Sequence, residues 1–249
     1  MARQNGILKI KGTIGGMTFY KSQDGDLVRE KGGVSGDRIA NDPAFVRTRE
    51  NGAEFGAAGK AGKLLRDSLR PLMLNAADGR VTSRVTTLMT DIIKLDTTSV
   101  RGLRTPAVGL AGAPGKALLK GLNFNINSIL GSVLFKPFTV NTTTGVITIT
   151  GLVPINDIAF PAGATHMTIT GGYGNINFAT GVMAVNLTNA VNLAINATAG
   201  TVTLTPTAVP AGTGTKVYML KVEFFQLLNG VQYSLKNGAY NALAIVEVA

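Results

Sequence analysis

Apolar and polar positions in the first part of the chain predict a hairpin followed by a helix. Residues 7–33 carry β-type side chains broken by glycines, and Gln23-Asp24-Gly25 marks a turn between two apolar runs, which predicts a β-hairpin. Asn41-Asp42-Pro43 then offers a helix N-cap with proline at the first helical position. This signal predicts a helix that runs to about Arg70, where a proline interrupts the pattern.

A second helix is predicted from about Arg80 to Leu95. Apolar residues repeat there at spacings of four and three, the pattern of one buried helix face: Val81, Val85, Leu88, Ile92 and Leu95. The two predicted helices would together form a helical hairpin. Residues 97–120 are rich in glycine and proline, and we expect them to form an extended arm that carries several basic groups.

Beyond Gly121 the apolar period changes to two. Short threonine-rich runs, separated by Gly, Pro or Asn, are typical of the strands of a sandwich and cover residues 146–150, 166–170, 181–186, 201–205 and 216–225. Asn229-Gly230 predicts a hairpin turn, and residues 242–248 predict a last strand. The predicted fold class is α+β, mainly β, with an N-terminal β-hairpin and helical hairpin followed by a C-terminal antiparallel β-sandwich.

Charge divides the sequence near residue 120. The 249 residues include 24 Lys and Arg against 14 Asp and Glu, a net charge of +10, and nearly all of the excess precedes Gly121. We therefore predict a basic region over residues 1–120 and a threonine-rich domain over residues 121–249. Charged residues make up only 15% of the chain, against roughly 25% in an average soluble domain. The C-terminal domain should have an almost neutral surface.

The first predicted helix has a face of small residues. Glycine in a helix costs roughly 1 kcal/mol relative to alanine, so the close approach of another backbone would offset a cost that recurs along the helix. We take four glycines as candidates for an assembly interface: Gly52, Gly56, Gly59 and Gly62. The alternative is that residues 56–62 form a partly irregular loop.

The sequence offers little of the chemistry that catalysis requires. It contains no cysteine, which excludes disulfides, thiolate metal sites and thiol nucleophiles. Between residues 137 and 215 the ionisable side chains besides Tyr173 are Asp157 and His166, and a single histidine lacks the partners of a triad or a zinc site. The glycine-rich runs lack the spacing of a phosphate loop. We expect no enzymatic activity, no metal and no cofactor.

Basic residues near the N-terminus are candidates for phosphate contacts, namely Arg3, Lys9, Lys11, Arg38, Arg47 and Arg49. Acidic residues lie among them, so a solvated surface of internal ion pairs is the alternative. Few aromatic side chains accompany them, and no recognition helix can be identified. Any binding to nucleic acid is therefore expected to be weak, independent of base sequence and strongly dependent on salt.

The N-terminal residues lack the apolar run of a signal peptide. No later stretch reaches the ~18 apolar residues of a membrane span. We therefore expect synthesis in the cytoplasm and no membrane span. Release by lysis, or through a dedicated export machine, is compatible with this pattern.

Both ends of the chain carry a further pattern. The opening Gly-Ile-Leu-Lys-Ile-Lys-Gly-Thr-Ile-Gly-Gly-Met-Thr-Phe-Tyr-Lys, with Arg29-Glu30-Lys31-Gly32-Gly33 and Arg47-Thr48-Arg49-Glu50-Asn51, resembles an uncharacterised family of small bacterial proteins over roughly the first 70 residues. Glu223-Phe224-Phe225 and Leu235-Lys236-Asn237-Gly238-Ala239 resemble it at the other end. The resemblance implies no activity, cofactor or site, but it implies that both ends belong to one design.

Three functional hypotheses remain, and an enzyme is a distant fourth. The leading one is a self-assembling structural protein, because a sheet that is poor in Lys and Glu lacks the charges that normally keep strand edges apart. It implies that the chain is a homo-oligomer or polymer. The second is a nucleic-acid-associated protein that uses the basic half, and the third is a carbohydrate- or surface-binding module that uses one face of the sandwich.

Overall fold

Four short strands form an N-terminal sheet in a computed structural model that describes residues 2–30 and 32–249. The strands are antiparallel in the order β1-β4-β3-β2, with bounds β1 (Ala2–Arg3), β2 (Gly12–Ile14), β3 (Met17–Ser22) and β4 (Gly25–Glu30). The pairing of β3 with β4 across Gln23-Asp24 confirms the predicted hairpin, and β1 and β2 enlarge it. Residue 31, inside the predicted hairpin segment, lies outside the described residues.

Two short helical segments follow this sheet. Helix α1 (Gly36–Asn41) begins after Ser35, whose Oγ accepts a hydrogen bond from the N–H of Arg38 at 3.3 Å. A 3₁₀ turn (Pro43–Phe45) comes next, and Asp42 Oδ1 caps it by accepting from the N–H of Ala44 at 2.9 Å. The predicted Asn-Asp-Pro signal therefore caps this turn, and the long helix begins just after it.

Helices precede most of the strands in the rest of the chain. Their bounds are α2 (Val46–Ser68), α3 (Arg70–Met73), α4 (Val81–Ile93), α5 (Pro106–Gly109), α6 (Ala113–Leu119), α7 (Leu130–Val133) and α8 (Pro154–Asp157). Helices α2 and α4 confirm the two predicted helices. They approach each other at Gly62, where an added Cβ would lie 3.2 Å from Val85 Cγ1.

Eight further strands form two antiparallel sheets. Their bounds are β5 (Thr139–Val140), β6 (Ile147–Leu152), β7 (His166–Ile176), β8 (Met183–Ala194), β9 (Gly200–Leu204), β10 (Thr215–Leu228), β11 (Val231–Ser234) and β12 (Ala242–Val248). The larger sheet has the order β11-β10-β7-β8, and β12 also pairs with the long strand β10. The smaller sheet has the order β5-β6-β9. The fold is mixed α+β, with antiparallel sheets in the C-terminal half.

Strand β10 separates two hydrophobic clusters. Val217 and Met219 are buried with side chains of α2 and α4, whereas Leu220, Val222 and Phe224 are buried with those of β6 and β9. Successive side chains of a strand point to opposite faces, so one sheet can serve two cores. Because helices cover one face of the larger sheet, the structure does not confirm a simple sandwich.

The predicted extended arm is instead packed. Its two prolines occupy the first turns of α5 and α6. An added Cβ at Gly109 would lie 2.2 Å from the carbonyl oxygen of Ile92, so the arm lies directly against α4. Glu54 holds the part of the arm that precedes α5, because its Oε1 accepts from Arg104 Nε at 2.8 Å and from the N–H of Gly102 at 2.7 Å. The prediction of an extended arm was wrong because these proline and glycine residues start and pack helices.

Packing and charge divide the chain at different places. The described residues form two compact units, Met1–Arg49 and Glu50–Ala249. In the second unit the helices before residue 120 share one hydrophobic cluster with strands β10 and β12. The division near residue 120 therefore describes charge, and the division after Arg49 describes packing.

One turn geometry occurs twice, on the sequence Asn-x-x-Thr-Gly-Val at residues 141–146 and 177–182. Asn141 Oδ1 accepts from the N–H groups of the residues two and three positions on, at 2.9 and 3.0 Å, and Asn177 Oδ1 does the same at 3.0 and 3.1 Å. The glycine of each turn, Gly145 or Gly181, has φ +79°. The repeated sequence therefore encodes a repeated turn, because asparagine supplies the local acceptor and glycine tolerates the positive φ.

We expect Gly145→Ala to destabilise the protein more than Gly181→Ala. Both substitutions place a side chain at the same positive φ, which costs about 1–2 kcal/mol. At position 145 the new Cβ would also lie 2.4 Å from Tyr173 Cδ1, whereas at position 181 no atom lies within 4 Å. Overpacking adds about 1–3 kcal/mol. Urea unfolding measures both, and equal losses would contradict the packing argument.

We expect Asp96→Asn to lower the free energy of unfolding at pH 7 by about 2–3 kcal/mol. Asp96 is 2% exposed, and its carboxylate accepts from the N–H groups of Thr98, Ser99 and Thr105 at 2.9–3.1 Å. Burial raises the pKa of Asp96, but these hydrogen bonds outweigh burial and hold the pKa well below its usual range. Asp91→Asn is the control, because the Asp91 side chain is only half-buried and lies beside Lys94.

The sign of this effect fixes its pH dependence. A depressed pKa stabilises the fold fully above the unfolded pKa of ~3.9 and loses that contribution as the pH falls through the folded pKa. The difference between wild type and Asp96→Asn should therefore shrink only in strong acid. A difference that vanishes near neutral pH would contradict this account.

Candidate functional site

The glycine face of α2 divides into an open part and a packed part. No atom lies within 4 Å of the position that a Cβ would take at Gly52, Gly56 or Gly59. Gly62 is buried, and its added Cβ would contact Val85 and the backbone of Thr86. Helix α2 is regular through residues 56–62, so the loop alternative was wrong. The close approach of α4 therefore explains why residue 62 is a glycine. No contact within the described chain explains the glycines at positions 52, 56 and 59.

Two of the candidate phosphate-contact residues, Arg38 and Arg49, already bond to other residues of the unit Met1–Arg49. Arg38 Nε lies 3.0 Å from Asp42 Oδ2. Arg49 Nη1 donates to the carbonyl oxygens of Ile39 at 2.7 Å and Asp42 at 3.0 Å. The N–H of Ala44 and the guanidinium of Arg38 hold the pKa of Asp42 below its usual range. Both arginines therefore stabilise the segment around α1.

The other candidates are distributed around the N-terminal sheet and α2. Lys9 Nζ donates to the backbone carbonyl oxygen of Gln4, and the side-chain Oε1 of Gln4 accepts from the N–H of Ile10 at 3.0 Å. Arg3 lies on β1, and Lys11 directly precedes β2. Arg47 lies in the first turn of α2 and is exposed. The six residues therefore do not form one cluster.

The register of the N-terminal sheet segregates charge between its two faces. Arg3 lies opposite Leu27, Leu27 opposite Tyr20, and Arg29 opposite Thr18. Residues directly opposite each other share a face. We call this the basic face: Arg3, Thr13, Thr18, Tyr20, Leu27 and Arg29. The Arg29 guanidinium lies 5.5 Å from the centre of the Tyr20 ring.

The other side of this sheet is mainly hydrophobic. We call it the apolar face, and its central members are Ile14, Met17, Phe19 and Val28, which the register places together. Lys21 lies opposite Asp26 on this face, and Glu30 lies opposite Met17. The acidic residues of the strands therefore share a face with hydrophobic residues rather than with Arg3 and Arg29. Alternation along each strand already separates these residues into two sets in the sequence. Only the strand register shows which set of one strand shares a face with which set of the next.

The larger C-terminal sheet has an uncharged edge. Strand β8 stands at one end of the sheet order and pairs along its length with β7. Residues 205–207 meet it at its middle, where the N–H of Asn189 donates to the carbonyl oxygen of Thr205 at 3.2 Å. Residues 158–215 contain no Asp, Glu, Lys or Arg. At the other end, the β10–β11 hairpin exposes four hydrophobic side chains: Leu227, Leu228, Val231 and Tyr233.

Ionisable side chains do not gather into a reactive site in the part of the chain that the structure describes. No group of three or more His, Asp or Glu residues could hold a metal ion there. His166 Nδ1 lies 3.0 Å from Oγ1 of Thr165, the residue that directly precedes it in the chain. A cavity of about 450 Å³ beside α2 is lined by Lys63 and Asp67, which pair with each other at 2.6 Å.

Among residues 2–30 and 32–249, no helix combines the length and the apolar character needed to cross a membrane. Comparison with known proteins adds no relative, since no family model, curated protein or solved structure matches the chain.

Proposed function

We propose that this chain is a self-assembling structural protein, a subunit of a tube, filament, sheath, shell or virion-like particle, rather than an enzyme. One observation carries the proposal. In the unit Met1–Arg49, none of the described residues is buried, although they form a four-stranded sheet.

A sheet whose side chains are at most partly buried offsets little of the entropy of ordering its chain. Fixing the backbone costs about 1–2 kcal/mol per residue, and burial of apolar surface is the main term that opposes this cost. Units of fewer than about 70 residues rarely supply enough core alone and need staples or association. Disulfides are excluded because the chain has no cysteine. Association is the remaining means of stabilising this sheet.

Hydrophobic side chains of this unit are available for such association. On the apolar face Ile14 is 59% exposed and Met17 is 53% exposed. In the preceding loop Ile7 is 101% exposed and Leu8 is 86% exposed. Single exposed hydrophobic residues are normal on a monomer, but Ile14 and Met17 are direct cross-strand neighbours, and adjacent exposed hydrophobic residues favour an interaction surface.

A second copy of the chain is the partner that fits these properties. The uncharged residues 158–215, with edge strand β8, supply neutral β-rich surface on every copy. Natural monomers protect such edges with lysine, proline or bulges. Strand β8 has no lysine, and its register irregularity and its bridge to Pro206 protect only its middle. The open glycines of α2 add a smooth helix face on which another backbone could lie closely, which supports the assembly-interface assignment of Gly52, Gly56 and Gly59.

We expect the purified full-length chain to be oligomeric, and Ile14→Lys to disrupt the oligomer. Lysine on the apolar face would have to be buried when a second copy covers that face, whereas the uncovered sheet would tolerate it. Thr13→Lys is the matched control, since it adds the same charge on the neighbouring residue of β2 and on the basic face. Light scattering after size exclusion measures the mass of each variant.

Three results would count against this proposal. One is a monodisperse wild-type monomer of 25.9 kDa at high micromolar concentration. Another is an oligomer that Ile14→Lys leaves intact. A third is equal disruption by Thr13→Lys, which would attribute the effect to charge rather than to the covered face. Negative-stain images of the wild type would show particles or filaments if the proposal holds.

We further expect Gly56→Leu and Gly59→Leu to impair assembly more than Arg47→Ala does, while the fold stays intact. Leucine has open space at both positions within the described chain, and it forms helices better than glycine by ~1 kcal/mol. Thermal unfolding of the dissociated variants should show equal or higher stability. Gly62→Leu should instead destabilise the fold, because its side chain would meet Val85. Normal assembly of both exposed-glycine variants would exclude this face from the interface.

A further inference from the structure

The basic face of the N-terminal sheet has a composition that the apolar face does not share. Arg3 and Tyr20 lie in one row across the sheet, on either side of Leu27. Arg29 lies in the next row, and Lys11 directly precedes strand β2 beside β3. The acids of these strands, Asp26 and Glu30, belong to the opposite face by alternation along β4. The positive charge of the basic face is therefore not neutralised by acids on the same face.

The guanidinium of Arg29 lies over the ring of Tyr20. The guanidinium carbon of Arg29 lies 5.5 Å from the Tyr20 ring centre. Bases of single strands stack on aromatic rings and on guanidinium planes, whereas bases inside a duplex are already stacked on each other. Arginine additionally donates paired hydrogen bonds to phosphate oxygens. One small sheet thus combines a stacking surface with cations on both sides of it.

We propose that the basic face binds single-stranded nucleic acid, with a base stacked on the Tyr20–Arg29 pair and backbone phosphates on Arg3, Lys11 and Arg29. Adjacent strands lie about 4.8 Å apart, so Arg3 and Tyr20, two strands apart, have backbones separated by about 10 Å. A strand crossing the sheet would therefore pass from one to the other. The contacts involve phosphates and the base plane, so recognition is independent of base sequence.

The proposal rests on the proposed function in one respect, because association stabilises the sheet that carries the basic face. The basic face and the apolar face are opposite sides of the same sheet, so a copy that covers the apolar face leaves the basic face open. Loss of binding by Tyr20→Leu in a protein that still assembles would count against the basic face alone. Loss of binding by Ile14→Lys together with loss of assembly would instead be attributed to the sheet that both faces share. Anisotropy and light scattering measure the two separately.

The test is a fluorescence-anisotropy titration of the full-length chain against labelled oligothymidine and one mixed-sequence oligonucleotide. We expect both to bind equally at low salt. The affinity should fall with a logarithmic salt slope of about −2, since each phosphate contact on a single strand contributes about −0.7. Binding should fade towards physiological salt.

Variants identify the face. We expect Tyr20→Leu to weaken binding roughly fivefold or more through lost stacking. Arg29→Gln should weaken binding and reduce the salt slope by about 0.7. Lys21→Gln is the matched control, because it removes the same charge from the apolar face and should leave the affinity unchanged. Arg29→Lys keeps the charge but not the plane, and its affinity should lie between those of wild type and Arg29→Gln.

Five results would overturn the assignment, and four of them concern the oligonucleotides. They are absence of binding at low salt, equal weakening by Lys21→Gln and Arg29→Gln, an affinity for Tyr20→Leu equal to that of wild type, and a strong preference for one of the two sequences. A fifth is binding to vesicles of phosphatidylserine and phosphatidylcholine without binding to either oligonucleotide. That result would assign the cations to an anionic lipid surface instead.

Discussion

Burial on both faces of strand β10 is the interaction on which the larger unit depends. Met219 reaches the helices and Leu220 reaches the smaller sheet, so one strand joins two cores that neither helices nor sheet could complete alone. The edge beyond β12 is also closed, since the N–H of Phe124 donates to the carbonyl oxygen of Leu243 at 2.8 Å. Within Glu50–Ala249, sheet faces find their cover inside the chain.

The N-terminal sheet is subject to the same constraint but does not meet it with its own residues. Its apolar face contains Met17 and Phe19, yet no described residue of this unit is buried. Because apolar sheet faces require cover, this difference between the units is the physical basis for proposing assembly. The opposite face carries Arg3 and Arg29, and it is the face that we propose to bind a polyanion.

Local patterns predicted much of this fold. Helix α4 was predicted from the 4-3 spacing around Val85, and the β10–β11 hairpin was predicted from the Asn229-Gly230 turn. Both signals depend only on residues that are near in sequence. The prediction of an extended arm was wrong because Gly109 packs closely against Ile92, and the sequence does not show that contact between two helices. The candidate surfaces were less predictable, since pairing Tyr20 with Arg29 requires the register, and the exposure of Gly56 requires the tertiary packing.

Amide hydrogen exchange of β3 and β4 at two protein concentrations tests the central claim most directly. If a second copy covers the apolar face, the amides of residues 17–30 should exchange slowly in the assembled protein and rapidly after dilution to the monomer. The amides of β10 should stay protected in both states, because their cover lies within the chain. Equal, slow exchange of residues 17–30 in assembled and monomeric protein would contradict the account.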